Sequence, residues 1–186
     1  MKYTRNEFLR LTSVATVAAA ATSLTGSSTS SSTRKEEKQL RLGLASYTFR
    51  NFSLDDTIKM AKQVGLTNIA LKAMHMPLEA SAEDIKKAAE KVRGAGLNLY
   101  GAGVIYMKTP QEVETAFAYA VNAGLEMIVG VPNHELLALT EEKVKQTNVK
   151  VAIHNHGPGD KLYSSPVDVY EKIKNLDKRI GFCIDI

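Results

Sequence analysis

The sequence predicts an α/β protein with a parallel, barrel-like sheet, and three observations lead to this expectation. From Leu40 onward, short apolar segments alternate with longer segments that have the apolar periodicity of helices. The predicted helices begin and end at residues that favour helix termini. Several predicted strands also place bulky side chains on one face and small side chains on the other. Strand–helix units that recur roughly every 25 to 30 residues indicate βαβ connections and a parallel sheet.

Six predicted strands and five predicted helices follow one another along the chain. The strands lie within the segments RLGLASY, NIALK, LNLYGAGVIY, MIVGV, VKVAIH and IGFCID. The helices between them lie within SLDDTIKMAKQVG, SAEDIKKAAEKVRGAG, TPQEVETAFAYAVNAG, HELLALTEEKVKQTN and SPVDVYEKIKNL. Hydroxyl-bearing N-caps start three helices, and glycines that adopt left-handed backbone end three. The N-caps are Ser53, Ser81 and Thr109, and the glycines are Gly65, Gly96 and Gly124.

The two faces of the predicted strands distinguish a closed barrel from an open sheet. In the fifth strand, Val151 and Ile153 share one face, whereas Ala152 and His154 share the other. The same division recurs in LGLASY, NIALK and IGFCID. Small residues suit the narrow interior of a barrel, whereas an open sheet covered on both sides carries bulky residues on both faces. No G-x-G-x-x-G segment follows the first strand, which disfavours a dinucleotide-binding sheet.

These features favour a (β/α)8 TIM-barrel type of fold, whose functional groups gather at the C-terminal ends of the strands. Such a barrel typically takes about 250 residues. Only about six of its eight βα units are predicted in this chain of 186 residues. We therefore expect that the chain is the front part of a longer protein or that a partner completes the barrel. Truncation is the simpler explanation.

The chain divides into three predicted regions. Residues 1–25 have a basic start, an apolar stretch and small residues suited to cleavage, which is the layout of an export signal. The segment TRNEFLR resembles the twin-arginine motif, except that Asn6 replaces the second arginine, so general secretion is the other route. A retained amphipathic helix is the alternative. Residues 26–39 are a Ser/Thr-rich flexible linker, and residues 40–186 are the barrel domain.

Charge and cysteine content exclude several classes of function. The net charge is +4, half of it from the first 21 residues, and no basic stripe with interleaved aromatics is present. Nucleic-acid binding is therefore not expected. Cys183 is the only cysteine, which excludes an intrachain disulfide and a cysteine metal cluster. We expect an exported, periplasmic protein without a stable membrane span after signal removal, with a small-molecule partner and scope for homo-oligomers.

A resemblance to a known family is carried by four longer segments. They are LGLASYTFRNFSLDDTIKMAKQVGLTNIALKAMHMPL, YGAGVIYMKTPQEVETAFAYAVNAGLEMIVGVP, VAIHNHGPGDKLY and RIGFCIDI. Together they resemble the sugar phosphate isomerase/epimerase family of xylose-isomerase-like barrels, in its exported branch. The resemblance implies a divalent metal held at the ends of the last four strands. It also implies that acid/base groups move a proton of a hydroxy-ketone or aldehyde through an enediolate.

Two metal-ligand positions of that family fall inside this chain. By the resemblance, His154 occupies the position at the end of the fifth strand that usually holds glutamate, and Asp185 occupies the position on the sixth. The implied metal is Mn, Zn, Co or Mg, and the remaining ligands would follow Ile186. A histidine in place of glutamate keeps a competent ligand but removes a negative charge and a carboxylate base.

Other polar residues are candidates for substrate contact and proton transfer. His156 is predicted to bind the metal or to transfer a proton; a pair of loop histidines bonded to backbone is the alternative. Lys72, which points inward from the second strand, is expected to stabilise an enediolate or bind a substrate group. His75 is its predicted acid/base partner. Tyr47 and Arg50 are predicted to line the substrate site.

Four further residues carry weaker expectations. Tyr106 and Lys108, at the end of the third apolar segment, are minor candidates for the site. Cys183 is expected to be a small inward-facing residue rather than a nucleophile, and His134 is expected to be exposed.

Three functions follow from these residues. The leading one is a metal-dependent carbohydrate isomerase or epimerase. The second is a lyase or hydratase for 3-keto sugars or 3-keto glycosides, which begins with the same enolisation. The third is a non-catalytic sugar-binding barrel or an inactive fragment. An unphosphorylated substrate is preferred, because no phosphate-binding loop is recognisable.

Overall fold

The computed structural model describes residues 41–184. The export signal predicted for residues 1–25, the linker predicted for residues 26–39 and the predicted metal ligand Asp185 lie outside the described residues. No helix within the described range is both long enough and apolar enough to cross a membrane.

Strands and helices alternate in this range in the order that the sequence predicts. The strands are β1 (Gly43–Ala45), β2 (Asn68–Leu71), β3 (Asn98–Met107), β4 (Met127–Pro132), β5 (Lys150–His154) and β6 (Ile180–Cys183). The helices are α1 (Leu54–Gln63), α2 (Ala82–Gly94), α3 (Pro110–Ala123), α4 (Leu137–Thr147) and α5 (Pro166–Ile173). Short 3₁₀ turns at Ser46–Phe49 and His134–Leu136 precede α1 and α4.

The strands form one parallel sheet in which neighbours in the sequence are also neighbours in space. The order is β1-β2-β3-β4-β5-β6, and every pairing is parallel. A doubly wound sheet would reverse its strand order at a switch point, whereas a sheet that only advances is the wall of a barrel. The structure therefore confirms the predicted α/β class and corresponds to six strands of a (β/α)8 barrel.

The strand register confirms that the two faces of the sheet differ. Val151 pairs with Ile180 on the helix-facing side, whereas Ala152 pairs with Gly181 on the opposite, lumen-facing side. One step further along β5, Ile153 pairs with Phe182. Paired residues in a parallel sheet point to the same side, so small residues line the lumen at this level. The alternation along the sequence predicted this arrangement.

The apolar core lies between the helix-facing side of the sheet and the helices. Burying one aliphatic side chain of this size stabilises the fold by roughly 1.5–3 kcal/mol. The strands contribute Ile69, Leu71, Leu99, Met107, Ile128, Val151 and Ile153, and the helices contribute Ile58, Ile85, Val92, Val113, Phe117, Val144 and Val169.

Most predicted helix termini are confirmed by their hydrogen bonds and backbone angles. The side chains of Ser53, Ser81 and Thr109 each accept a bond from a backbone N–H in the first turn of the following helix. The predicted glycines all adopt positive φ angles, as a helix end requires. The end of α4 was not anticipated: Asn148 takes the left-handed conformation there, with φ 60°.

Two sequence-based expectations are wrong in detail. Strand β1 ends at Ala45, so Tyr47 lies in the following 3₁₀ turn and not on the strand. His134 is only partly exposed, and its Nε2 bonds to the carbonyl oxygen of Leu162 at 2.8 Å. The sequence left open whether the fifth strand extends to His156; β5 ends at His154, so His156 lies in the loop. The partner of His134 lies 28 positions away in the chain, and alternation along a strand does not reveal it.

Candidate active site

Polar side chains gather at the C-terminal ends of the strands. Lys72 follows β2 directly, Tyr106 lies near the end of β3, His154 ends β5 and Cys183 ends β6. The C-terminal ends of parallel strands meet at the same edge of the sheet, which is where barrel enzymes carry their active sites. Tyr106 pairs with Val131, and His154 pairs with Cys183, at this upper level of the sheet.

His154 occupies the lumen-facing end of β5. Its ring lies 4.6 Å from the ring of His156, centroid to centroid, and the two planes are perpendicular. Strand pairing sets Cys183 of β6 beside it, and the side chain is partly buried. The two histidines that the sequence singled out are therefore brought together at the mouth of the sheet.

His156 is held between a carboxylate and a phenol. Its Nδ1 lies 2.6 Å from Oδ2 of Asp160, and its Nε2 lies 2.9 Å from the hydroxyl oxygen of Tyr106. The rings of His156 and Tyr106 are nearly parallel, at 11°, with centroids 5.7 Å apart. An ionised carboxylate only accepts hydrogen bonds, so Nδ1 of the neutral imidazole carries the proton. Nε2 then accepts a hydrogen bond from Tyr106.

Asp160 is fixed by the loop that follows β5. Its Oδ1 accepts bonds from the backbone N–H groups of Leu162, at 2.6 Å, and of Tyr163, at 3.2 Å. Desolvation acts to raise the pKa of Asp160, but these two backbone bonds and the bond from His156 outweigh it and lower the pKa below its usual value. The carboxylate is therefore ionised at neutral pH.

Two cationic side chains surround the ring of Tyr47. The guanidinium carbon of Arg50 lies 4.8 Å from the ring centroid, and Nζ of Lys72 lies 5.5 Å from it. Partial burial lowers the pKa of Lys72 from its ordinary value. The predicted substrate-site residues from the first two βα loops thus form one contiguous group, defined here as the basic cluster.

His75 lies inside the protein and is only 6% exposed. Its Nε2 lies 3.1 Å from the carbonyl oxygen of Phe52 and 3.0 Å from the hydroxyl of Thr57. A carbonyl only accepts, so Nε2 carries the proton and Nδ1 accepts from the hydroxyl of Ser46 at 2.9 Å. Ser46 in turn accepts from the backbone N–H of Lys72. The hydrogen bonds of His75 therefore connect the loop after β2 with the loop after β1.

Sequence reasoning gave Tyr106 little weight and missed Asp160. Tyr106 carries a detectable signal, because it lies on the inward face near the end of the third apolar segment. Asp160 follows His156 by four residues across a turn in which Gly157 and Gly159 have φ angles of +92° and +103°. The glycines indicate a tight turn, but which side chain the turn brings back to His156 depends on its geometry.

The donor atoms at this edge agree in part with a divalent metal site. Imidazole nitrogen suits Zn, Mn and Co, and His154 presents such a ligand at the end of β5. Both nitrogens of His156 already bond to protein groups. Within residues 41–184, no three His, Cys, Asp or Glu side chains lie close enough together to hold a metal ion. His154 is the candidate ligand that the family resemblance indicates within the described range, and Asp185 lies outside that range.

Comparison with solved structures identifies the fold. An uncharacterized protein from Parabacteroides distasonis matches with a TM-score of 0.68 and 24% identity, over 77% of this chain and 62% of that chain. A protein from Sinorhizobium meliloti matches with a TM-score of 0.63 and 17% identity, over 78% and 62%. A xylose isomerase domain containing protein from Salmonella typhimurium matches with a TM-score of 0.54 and 14% identity, over 72% and 56%.

The chain spans about three fifths of the length of these structures. No protein-family model matches the sequence, and no curated protein matches it significantly. At these identities the likeness concerns the fold alone, and it agrees with the sequential parallel sheet. The chain therefore has the fold of the xylose-isomerase-like TIM barrels.

Proposed function

We propose that this chain carries part of the active site of a metal-dependent carbohydrate isomerase or epimerase. Such an enzyme abstracts a proton next to a carbonyl group and returns it through an enediolate. The observation that carries the proposal is the meeting of His154 with the bonded pair His156–Asp160 at the C-terminal edge of the sheet. This arrangement places a candidate metal ligand beside a candidate proton-transfer group.

His154 would hold the metal, together with Asp185. A bound divalent ion polarises a carbonyl oxygen and so acidifies the neighbouring C–H group. The metal is Zn, Mn, Co or Mg; the imidazole ligand favours the first three over Mg.

His156 supplies the proton-transfer function. Its Nε2 is the basic nitrogen, because Nδ1 donates to Asp160. When Nε2 takes up a proton, the imidazolium that forms is stabilised by the adjacent carboxylate. The low pKa of Asp160 keeps that carboxylate charged throughout the pH range in which an imidazole acts as a base.

The basic cluster of Tyr47, Arg50 and Lys72 binds the substrate. An aromatic face suits the C–H face of a sugar ring, and ammonium and guanidinium groups donate to hydroxyls and to the negative charge of an enediolate. An unphosphorylated sugar is proposed, in keeping with the expected export of the protein to the periplasm. His75 supports the cluster through its bond to Ser46 and the bond of Ser46 to Lys72.

A lyase or hydratase for 3-keto sugars or 3-keto glycosides is the second candidate. The observation in its favour is the imidazole of His154, because a histidine at this position supplies no carboxylate to act as the second base of an epimerase. Enolisation would be the first step in both cases, and the second candidate then eliminates at the neighbouring carbon.

Isotope exchange tests the proposal and separates the two candidates. The full-length protein is incubated in D₂O with D-fructose, D-tagatose and D-xylulose, and separately with a p-nitrophenyl 3-keto-glucoside. For an isomerase or epimerase we expect deuterium at the carbon next to the carbonyl in the recovered or isomerised ketose, measured by NMR and mass spectrometry. Release of p-nitrophenol without ketose exchange would assign the lyase instead.

Two variants serve as controls for this experiment. His156→Ala should abolish exchange, whereas Tyr170→Phe, a change at a half-exposed tyrosine on α5, should leave it unchanged. Wild-type protein that exchanges no ketose and cleaves no keto-glycoside would leave only the sugar-binding function and overturn both enzymatic candidates.

A further inference from the structure

We propose that the hydroxyl of Tyr106 exchanges the proton with the substrate, and that His156 and Asp160 form a relay behind it. The inference deepens the proposed function and rests on it. It assigns the catalytic contact to a residue that the sequence pattern made only a minor candidate for the site.

Both ring nitrogens of His156 are hydrogen-bonded to protein groups. Nδ1 is bonded to Asp160 and Nε2 is bonded to the hydroxyl of Tyr106, so both ring nitrogens are occupied. The imidazole reaches a substrate directly only after the bond to Tyr106 breaks. The phenol oxygen, in contrast, has a second lone pair with which it can take a proton from another molecule.

The three hydrogen-bonded side chains differ in their exposure. Asp160 is partly buried, whereas His156 and Tyr106 are both exposed. The chain of hydrogen bonds therefore runs outward from a partly buried carboxylate to an accessible tyrosine. A relay of this kind presents its outer member to the substrate and orients it with its inner members.

A cationic side chain lies beside the ring of Tyr106. Nζ of Lys108 lies 5.9 Å from the ring centroid, within the range of a cation–π contact. Tyr106 also pairs with Val131 on the lumen-facing side of the sheet, at the upper level that His154 shares. The hydroxyl thus belongs to the same edge as the candidate metal ligand.

The proposed step moves two protons and one electron pair. The phenol proton of Tyr106 moves to Nε2 of His156, and the phenol oxygen takes the proton from the substrate carbon next to the carbonyl. The electron pair of the broken C–H bond becomes the double bond of the enediolate. Asp160 stabilises the imidazolium, and no oxidant, reductant or further reactant is needed. Reversal of the transfers delivers a proton from Tyr106 to the neighbouring carbon on the same face, which completes an isomerisation.

The first test measures deuterium exchange into the ketoses named above, using the full-length protein. Tyr106→Phe keeps the ring stacked on His156 but removes the hydroxyl, so we expect exchange to fall by about 10²-fold or more. Tyr170→Phe is the matched control and should retain the wild-type rate. Exchange at the wild-type rate in Tyr106→Phe would overturn the inference.

The second test needs no substrate and separates this inference from the proposed function. In ¹⁵N NMR spectra of the full-length protein at neutral pH, His156 should have a protonated Nδ1 and an unprotonated, hydrogen-bonded Nε2. Tyr106→Phe should shift the Nε2 resonance, and Asp160→Asn should alter the tautomer, whereas Tyr170→Phe should do neither.

A protonated Nε2 in the wild-type protein would overturn the relay, whatever the isotope exchange shows. If no ketose exchanges but the tautomer and both shifts are as expected, the hydrogen-bonded relay stands and the proposed isomerase or epimerase function is what failed.

Discussion

Tyr163 connects the core to the loop that carries the candidate relay. Its side chain is fully buried, and its hydroxyl donates to the carbonyl oxygen of Pro132 at 2.6 Å. Its backbone carbonyl accepts from the N–H of His156, and its ring meets the edge of the His134 ring. Burial raises the pKa of Tyr163 well above its ordinary value, so the phenol stays protonated.

Removing this hydroxyl should destabilise the protein. In Tyr163→Phe, the carbonyl of Pro132 is left in a buried position without its donor, which we expect to lower the free energy of unfolding by about 1–2 kcal/mol. Urea denaturation would measure the change as a lower midpoint at unchanged slope. The matched Tyr170→Phe change should fall within about 0.5 kcal/mol of wild type, and an equal loss in both variants would contradict the assigned role.

At the scale of single residues, the sequence predicted the direction in which side chains point better than it predicted their hydrogen-bond partners. The period of two along β5 placed His154 on the lumen-facing side, and the pairing with Cys183 agrees with it. The bond between His156 and Asp160 depends on the backbone of a loop with two positive-φ glycines. The structural environment of His75 depends on side chains 18 and 29 residues away in the chain, which no local pattern reveals.

At the scale of elements, the start of α3 fixes the chain directly after Tyr106. The hydroxyl of Thr109 accepts from the backbone N–H of Glu112 at 3.2 Å, and the carboxylate of Glu112 accepts from the N–H of Thr109 at 3.0 Å. The same carboxylate accepts from the N–H of Lys108. The sequence predicted Thr109 as the N-cap, with Pro110 after it, whereas the reciprocal bonds of Glu112 are seen in the structure.

Loss of the cap should cost stability without changing the fold. Thr109→Ala leaves the first-turn N–H of Glu112 without its acceptor, so we expect a loss of about 1 kcal/mol in the free energy of unfolding. Thr109→Ser keeps the hydroxyl and should stay within a few tenths of a kcal/mol of wild type. Thermal denaturation of the three proteins tests this, and equal melting temperatures for Thr109→Ala and wild type would rule out the contribution of the cap.

Helix ends were predictable where one residue type dominates the local physics. Hydroxyl N-caps and C-terminal glycines act within a single turn, so Ser53, Ser81 and Gly124 were read correctly. An additional contact could not be predicted. The guanidinium of Arg93, on α2, donates to the carbonyl oxygens of Ala123 and Gly124 at the end of α3.

At the scale of the whole molecule, the helix-facing side of the described sheet is buried unevenly from its middle to β6. On the helix-facing side, the strands in the middle of the sheet are buried, as Ile128 at 0% exposure illustrates. On β6, Phe182 points to that side through its pairing with Ile153, yet it is 38% exposed. The alternation of bulky and small residues predicted the direction of these side chains, whereas the extent to which they are buried depends on neighbouring elements.

The fold class was accessible from the sequence because it rests on repetition. Six strands alternating with five helices, capped helix termini and two-faced strands agree with one another, and such agreement specifies a parallel barrel wall. The site was only partly accessible. His154, His156 and Lys72 follow from strand ends, whereas the bond of Tyr106 to His156 joins residues 50 positions apart.

The central claim is that His154 marks a metal centre at the C-terminal edge of the sheet. Crystals of the full-length protein grown with Zn²⁺ test it through anomalous difference maps calculated on either side of the zinc absorption edge. We predict one peak per chain, about 2.0–2.1 Å from a ring nitrogen of His154, which is lost in His154→Ala and kept in His134→Ala. A peak at another place, or one that persists in His154→Ala, would contradict the claim.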